Sequence, residues 1–328
     1  MKPRVYVTRI LPEKAWEMTE EFCEAEVWEG ELPPPREVLF EKVREIEGLL
    51  CLLTDEIDAP LMDAAPRLKV ISNCAVGYDN IDVKAATERG IIVGNTPGVL
   101  TDTTADLAFA LLMATTRRIP EATRFVRAGK WKTWELTVLL GQDIYGATLG
   151  IVGMGRIGSA VVKRAAGFGM KIFYYDVARR EDLEEKLGVT FTDLERLLRE
   201  SDFVTLHVPL TKETHHLIGG KELKMMRPTA ILINTSRGPI VDQGALYDAL
   251  KSGQIAAAGL DVTDPEPISP DDPLLSLDNC VVLPHIGSAS IATRTKMATM
   301  AAENLIAGLK GEMPPNPVNP EVLSSRVD

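Results

Sequence analysis

Three side chains suited to carbonyl chemistry each follow an apolar, strand-like run in the second half of the chain: Arg237 in INTSRGPIVD, Glu266 in GLDVTDPEP and His285 in VVLPHIGSAS. Ligands of open α/β sheets bind beyond the carboxyl ends of strands, so all three positions are candidates for one site. Arginine is the natural fork for a carboxylate, because two parallel N–H bonds fix both charge and orientation. His285, between Pro284 and the Gly287-Ser288 turn, is a candidate general acid. Glu266 stands between Pro265 and Pro267, which stiffen its loop, and paired with His285 its carboxylate would favour the protonated imidazole. Taken singly, an arginine after a strand is more often a surface residue, and a histidine beside a turn more often has no catalytic role.

A fourth segment, ATLGIVGMGRIGSAVVKRAAGFGMKIFYYD, reads as strand, glycine-rich turn, helix and second strand with an acid at its tip. Gly153 permits the tight turn, Gly155 lets backbone approach a pyrophosphate, and Gly158 allows close helix-to-strand packing. Met154, Arg156 and Ile157 complete the turn. Asp176, 23 residues after Gly153, is placed to accept from both ribose hydroxyls and to repel a 2′-phosphate, which favours NAD. Arg179 and Arg180 follow closely and leave NADP open, since either could meet a 2′-phosphate.

Positioning these residues requires parallel sheets with crossover helices, and strand-like runs do alternate with helical patterns along the whole chain, an α/β class. Strands are expected at residues 4–8, 48–53, 68–73 and 91–93, with Asp82 capping a helix that stops at Gly90. Residues 101–119 read as one amphipathic helix joining two domains. Six strands follow, at 148–152, 171–175, 203–208, 230–234, 256–261 and 281–284, then a helix at 291–309 and the Pro-rich tail MPPNPVNP.

The length of 328 residues suits two domains, and 45% apolar with 25% charged residues is an ordinary globular mixture, unlike a disordered chain or a disulfide scaffold. With 36 basic against 47 acidic side chains the net charge is −11, a poor basis for binding nucleic acid. The first fifty residues hold twelve Glu against seven Lys and Arg, a solvated acidic face. Cys23, Cys51, Cys74 and Cys280 form no CxxC pair, and MKPRVYVTR lacks a signal-peptide core, so the chain reads as cytoplasmic. Cys74 reads as core. No apolar run reaches the roughly 18 residues of a membrane span. His207, His215 and His216 show no metal-ligand spacing, so no metal is expected.

Together the segments resemble the D-isomer-specific 2-hydroxyacid dehydrogenases over nearly the whole chain. The signature regions are LGIVGMGRIGSAVVKRAAGFGMKIFYYD, SDFVTLHVPLTKETHHLIGGKELKMMRPTAILINTSRG, and the run from GALYDALKSGQIAAAGLDVTDPEP to PHIGSA. The resemblance implies that Arg237, Glu266 and His285 are catalytic and that the chain reduces a small 2-oxo acid with NAD(P)H. It implies two doubly wound domains, a flavodoxin-like substrate domain of residues 1–99 and 288–328 and an inserted Rossmann cofactor domain of 100–287. Val76 and Gly77, in SNCAVGYDNID, would offer N–H groups to the substrate carboxylate alongside Arg237, with His285 at the carbonyl. The resemblance puts Val208 and Pro209 beside the adenosine and Thr104, Thr235, Asp261 and Gly287 around the nicotinamide, with Ser236, Arg237 and His285 also among the cofactor-binding residues. Trp131 and Trp134 form an aromatic pair that is usually a packing device; in the family this stretch belongs to an arm crossing to a second subunit, so the resemblance implies a homodimer in which Trp134 would border the neighbour's site.

The runs NTPGVLTDTTADLAFALLMATTRRIPEA and AAAGLDVTDPEPISPDDPLLSLDNCVVLPHIGSA look most like glyoxylate and hydroxypyruvate reductases. Short phosphoglycerate, D-lactate and phosphite-oxidising relatives stay open, as does a dinucleotide-sensing co-repressor of the same fold. A chain at −11 should repel an anionic substrate and cofactor, so the expected remedy is local: Arg237, protonated His285 and the helix N-terminus after Gly155 acting in an interdomain cleft.

Overall fold

Short apolar runs alternate with helices throughout the computed structural model, which describes residues 1–324. Two compact units result, one from Met1–Leu100 with the chain from Ala289 onward, the other from Thr101–Ser288.

In the first unit the order is β1 (Arg4–Val7), α1 (Glu13–Phe22), β2 (Glu24–Val27), α2 (Arg36–Lys42), β3 (Gly48–Cys51), α3 (Ala59–Asp63), β4 (Val70–Asn73), α4 (Val83–Glu88) and β5 (Ile92–Gly94). The sheet runs β2-β1-β3-β4-β5 with every pairing parallel, the flavodoxin-like order. The strands β3, β4 and β5 are buried along their whole length, as strands covered on both faces must be. Asp82 caps α4 by accepting from Ala85 N–H at 2.9 Å, and the chain leaves at Gly90 with φ +67. The expected four strands become five. β2 is an edge strand whose EAEV residues alternate exposed and half-buried, so its acids hid it in the solvated face.

The second unit contains α5 (Thr101–Thr116), α6 (Ile119–Arg127), β6 (Thr148–Val152), α7 (Arg156–Ala166), β7 (Lys171–Tyr175), α8 (Glu181–Leu187), β8 (Thr190–Phe191), α9 (Leu194–Glu200), β9 (Phe203–Leu206), α10 (Gly220–Met225), β10 (Ile231–Asn234), α11 (Gln243–Ser252), β11 (Ala257–Leu260) and β12 (Cys280–Val282). Its parallel sheet runs β12-β11-β10-β9-β6-β7-β8, a doubly wound dinucleotide order whose direction reverses between β6 and β9. Seven strands replace the expected six, because the two-residue β8 is too short to show a period. The helix expected over 101–119 is also two helices. Pro120 cannot donate to a preceding turn, α5 stops at Thr116, and Arg118 takes a left-handed φ of +52 before α6 begins.

The last long helix, α12 (Ile291–Lys310), returns to the first sheet. A Cβ on Gly308 would lie 2.6 Å from Val70, and one on Gly48 2.8 Å from Leu305, so the missing side chains let helix and strands approach. Ser72 Oγ donates to the Ala301 carbonyl at 2.7 Å across the same face. Among the described residues no helix is long and apolar enough to cross a membrane.

Candidate active site

The glycine-rich turn links β6 to α7 at the point where the second sheet reverses direction. Gly153 has φ +97, and a Cβ there would stand 2.8 Å from the His207 carbonyl and 2.9 Å from Val208. A Cβ on Gly158 would stand 2.1 Å from the Gly153 carbonyl oxygen, so helix and turn touch through backbone. Gly155 differs: nothing lies within 4 Å of its Cβ position, and it is the N-cap residue just before α7. A Cβ there would fill the space that a pyrophosphate needs, beside the open N–H groups of the first turn of α7. Arg156 is exposed and Ile157 half-buried on that turn, whereas the Met154 side chain lies in the core and only its backbone reaches the site.

Asp176 follows β7 and accepts from the Met154 N–H at 2.7 Å through one oxygen, which fixes the carboxylate at the strand tip. The two arginines behind it are engaged by neighbouring acids. Arg179 forks onto Glu184 at 2.9 and 2.8 Å, and this ion pair with the Tyr174 hydroxyl holds the Glu184 carboxyl down at about 2. Arg180 forks onto Asp182 at 2.9 Å through both nitrogens. Val208 is half-buried and Pro209 exposed past β9, next to the glycine turn.

Three further strand ends carry the candidate chemistry. After β10 the buried Asn234 side chain organises the turn: its Oδ1 accepts from Ser236 N at 3.1 Å and Ser236 Oγ at 2.9 Å, and its Nδ2 donates to the Arg237 carbonyl at 2.8 Å. Thr235 is buried with a hydroxyl that has no hydrogen-bond partner among the described residues, an orphaned polar atom suited to a bound cofactor. Arg237 is half-buried, and its Nη1 donates to the Ser236 carbonyl at 2.8 Å. A Cβ on Gly238 would stand 1.9 Å from the Thr263 carbonyl oxygen, so the Arg237 turn sits directly on the loop that carries Glu266.

That loop is braced by Asp264 N–H donating to Gln243 Oε1 at 3.0 Å and by Gln243 Nε2 donating to Asp272 at 2.9 Å. It delivers Glu266 Oε1 to within 2.5 Å of His285 Nδ1. With Nδ1 occupied by the carboxylate, Nε2 is the ring nitrogen left to exchange a proton with a ligand. His285 has φ +53, a left-handed conformation that costs a non-glycine residue about 1 kcal/mol or more. Asp261, at the end of β11, holds it there. The Asp261 carbonyl accepts from His285 N at 2.9 Å, and its carboxylate accepts from Ile286 N at 2.8 Å and Gly287 N at 2.7 Å. Burial pushes the Asp261 carboxyl up, against the pull of those two N–H groups and of His285. A Cβ on Gly287 would meet Asp261 at 3.2 Å and Thr104 at 3.4 Å, so Thr104, Asp261 and Gly287 form one cluster.

Asn234 and the turn-holding role of Asp261 were not read from the sequence. The signal was there in part, since a polar residue closing an apolar strand before a reactive side chain has a turn to organise.

In the first unit Val76 and Gly77 lie half-buried after β4, with the Val76 carbonyl accepting from Asn95 and the Gly77 carbonyl from Asn73. Trp131 and Trp134 are 61% and 75% exposed on the irregular segment after α6. The other cysteine and histidine candidates stand apart from these strand ends or are engaged within the protein. Burial raises the Cys74 thiol to about 12 and lowers the His207 imidazole to about 4, with His207 Nε2 paired to Thr205 Oγ1 at 2.9 Å. His215 stacks on His216 at 4.1 Å, and no metal-ligand group of His, Cys, Asp or Glu occurs among the described residues.

The glycine turn, the acid at the β7 tip and the Glu-His pair on a doubly wound sheet define a dinucleotide-dependent oxidoreductase. The profile of the D-isomer specific 2-hydroxyacid dehydrogenase NAD-binding domain matches residues 109–287. The chain is 61% identical to a glyoxylate reductase of Korarchaeum cryptofilum over 327 residues, 99% of this chain and 98% of that one. Among solved structures, a Thermus thermophilus protein superposes with a TM-score of 0.91 at 51% identity, covering 96% of this chain and 99% of its own. An NADPH-dependent glyoxylate/hydroxypyruvate reductase of Sinorhizobium meliloti, solved with NADP and malonate, gives 0.84 at 35% identity, with 98% of both chains covered. The chain belongs to the D-isomer-specific 2-hydroxyacid dehydrogenase family. It is an NAD(P)-dependent enzyme of 2-oxo and 2-hydroxy acids, with a nicotinamide dinucleotide as its cofactor.

Proposed function

We propose that this enzyme reduces glyoxylate, and hydroxypyruvate as a second substrate, with Arg237, Glu266 and His285 as its catalytic residues. The 2.5 Å contact between His285 Nδ1 and Glu266 carries the reading, because it leaves Nε2 as the proton donor. A nicotinamide dinucleotide held by the glycine turn, Asp176 and Thr235 would supply the hydride that C2 of the oxo acid takes up. His285 gives its Nε2 proton to the carbonyl oxygen, which becomes the hydroxyl of the D-2-hydroxy acid. Glu266 stabilises the ring while it is charged, and the Arg237 fork holds the substrate carboxylate, a role the resemblance also gives to the Val76 and Gly77 amides. Ser236, beside Arg237, joins Thr235 on the cofactor side.

NADH is the preferred cofactor. Asp176 is fixed where it would oppose a 2′-phosphate, and the Arg179 and Arg180 forks are turned to Glu184 and Asp182. The working form is a cytoplasmic homodimer, in keeping with four free cysteines and with the apolar side chains of Trp131, Trp134, Leu136, Leu140 and Tyr145, each more than half exposed on one segment. Trp134 on this segment would then border the partner's site.

The deciding experiment is steady-state oxidation of NADH and NADPH against glyoxylate, hydroxypyruvate, pyruvate and phosphohydroxypyruvate, with light scattering to count subunits. Highest kcat/KM for glyoxylate with NADH is expected, His285→Ala should lose most turnover, and Arg237→Ala should mainly weaken substrate binding. Near-normal kinetics for either variant would remove its assignment, and no turnover with any acid would favour a dinucleotide sensor.

A further inference from the structure

In the first unit, three consecutive carbonyl groups of the loop after β4 are bound to other parts of the protein. The Ala75 carbonyl accepts from the Thr96 backbone N–H at 2.9 Å, the Val76 carbonyl from Asn95 Nδ2 at 2.8 Å, and the Gly77 carbonyl from Asn73 Nδ2 at 2.9 Å. A trans peptide is planar, and its N–H points away from its C=O. Fixing these carbonyls therefore fixes the N–H groups of Val76, Gly77 and Tyr78 on the opposite edges of the same peptide units. None of those three N–H groups has a hydrogen-bond partner among the described residues. Val76 and Gly77 are half-buried, so their open donors are costly unless something outside the loop satisfies them. Successive backbone N–H groups of this kind receive anions.

The two asparagines are themselves held. Asn95 is buried; its carbonyl accepts from Asn304 Nδ2 at 2.8 Å and its N–H donates to the Asn316 carbonyl at 3.1 Å. Asn304 Oδ1 in turn accepts from the Asn316 N–H at 3.0 Å. Asn316 opens the NPVN part of the tail, which runs along β5: Val318 N–H donates to the Val93 carbonyl, and Val93 N–H to Asn319 Oδ1, both at 2.7 Å. Asn73 also donates to Asn80 Oδ1 at 3.1 Å, and Asn80 Nδ2 donates to the Leu52 and Asp55 carbonyls at 3.0 and 2.9 Å. An asparagine suits both places, since its NH₂ holds a carbonyl without adding a negative charge near an anion site.

We propose that Asn95 and Asn73 are positioning residues for the reduction. They hold the Val76 and Gly77 carbonyls inward, so that the amides of Gly77 and Tyr78, with that of Val76, stay aimed at the carboxylate of the oxo acid. The tail segment 316–319 acts on substrate affinity through Asn304 and Asn95. This rests on the reading that the loop amides receive the substrate carboxylate, and it adds the residues that make them available.

The test uses deuterated, ¹⁵N-labelled enzyme saturated with NADH and titrated with oxamate, alongside steady-state kinetics with glyoxylate. The variants are Asn95→Ala, Asn73→Ala, Asn304→Ala for the side-chain link between the tail and Asn95 and, because a buried asparagine can be needed for folding, the near-isosteric Asn95→Asp, which loses the Nδ2 donor to the Val76 carbonyl. In the unsubstituted enzyme the amide resonances of Val76, Gly77 and Tyr78 should shift on oxamate saturation. Each variant should raise KM for glyoxylate and weaken oxamate, by about tenfold or more for Asn95→Ala and less for Asn304→Ala, with KM for NADH unchanged and kcat reduced less than affinity. If the loop amides are silent in the unsubstituted enzyme, the carboxylate reading itself fails. If they respond there and oxamate binds the variants equally well, that reading stands and the positioning role is overturned. Equal loss of NADH and oxamate affinity would also overturn it, as damage to the fold.

Discussion

Glu266→Gln isolates the charge of the Glu266 carboxylate from its shape. Glutamine can still accept from His285 Nδ1, so the ring keeps its place while the negative partner of the charged imidazole is lost. The contact is 2.5 Å, with His285 and Glu266 side chains 24% and 32% exposed. A hydrogen bond to an ionised group contributes about 1.5–3 kcal/mol, and this degree of water access puts the loss near the lower end, about 1.5–2 kcal/mol. At roughly 1.4 kcal/mol per tenfold in rate, single-turnover NADH oxidation by saturating glyoxylate should slow about 10- to 30-fold near neutral pH. His285→Ala should be slower still. Since Glu266 acts only through the ring, the double variant Glu266→Gln/His285→Ala should match His285→Ala alone. A rate within twofold of the unsubstituted enzyme for Glu266→Gln would refute the reasoning, and so would a double variant slowed by the product of the two single effects, which would put Glu266 on the substrate itself.

Other perturbations separate fold from function at neighbouring atoms. Gly158→Ala places a Cβ 2.1 Å from a backbone oxygen and should cost several kcal/mol, seen as a large fall in Tm, whereas Gly155→Ala has nothing within 4 Å and should leave Tm intact while weakening NADH binding at least about tenfold. A Gly155→Ala protein with normal cofactor affinity would argue against the pyrophosphate assignment. Glu184→Gln combined with Asp182→Asn releases the Arg179 and Arg180 forks, and the ratio of kcat/KM for NADPH to that for NADH should rise several-fold; an unchanged ratio would show that the two acids do not restrain those arginines. Asp55 is buried, accepts from Thr8 Oγ1 at 2.5 Å and Leu52 N at 2.8 Å, and burial raises its carboxyl pKa. The folded state thus holds that proton more readily than the unfolded chain, so the stabilisation it brings is complete below the ordinary carboxylate value of 3.8 and is lost as pH rises through the raised value. Asp55→Asn should therefore match or exceed the unsubstituted protein in Tm at about pH 7, with the difference closing toward about pH 4; a variant less stable at neutral pH, with no such convergence, would contradict this sign.

The parts of the site that depend on residue type at a strand end were readable in the sequence. Gly153, Gly155 and Gly158 announce a backbone constraint, and the Arg237, Glu266 and His285 segments each pair a reactive side chain with turn residues. What could not be read are the contacts that join distant segments. Asp261 and Gly287 stand 26 positions apart, and no periodicity says that the carboxylate of one holds the N–H of the other and so sustains the left-handed His285. Asn234 looks like the last residue of a strand until its three hydrogen bonds are seen. The Arg179 fork on Glu184 has the same character: the sequence offers the arginine to a phosphate, and the fold gives it to a carboxylate five residues on. Among the elements, β2 and β8 were lost for a different reason, one being an exposed acidic edge and the other only two residues long.

The net charge of −11 acquires a structural meaning from how the carboxylates of the site are engaged. Asp176 accepts from the Met154 N–H, Asp261 from the N–H groups of Ile286 and Gly287, and Glu266 faces His285. Each of these three carboxylates is fixed in place by its donor, and Asp176 keeps the charge that would oppose a 2′-phosphate. The first turn of α7 carries Arg156 and no acid, which leaves the positive end of the helix uncompensated, and Arg237 adds a fixed cation at the end of β10. The twelve glutamates of the first fifty residues lie on and between β1, α1, β2, α2 and β3, on segments that carry none of the proposed site residues. At about 8 Å of screening length in physiological salt, the pull or push of an exposed charge fades beyond that range, whereas donors in direct contact with an anion are barely screened. An acidic protein can therefore receive an anionic substrate and an anionic cofactor, because binding depends on a few groups within hydrogen-bond reach and not on the sum of the surface.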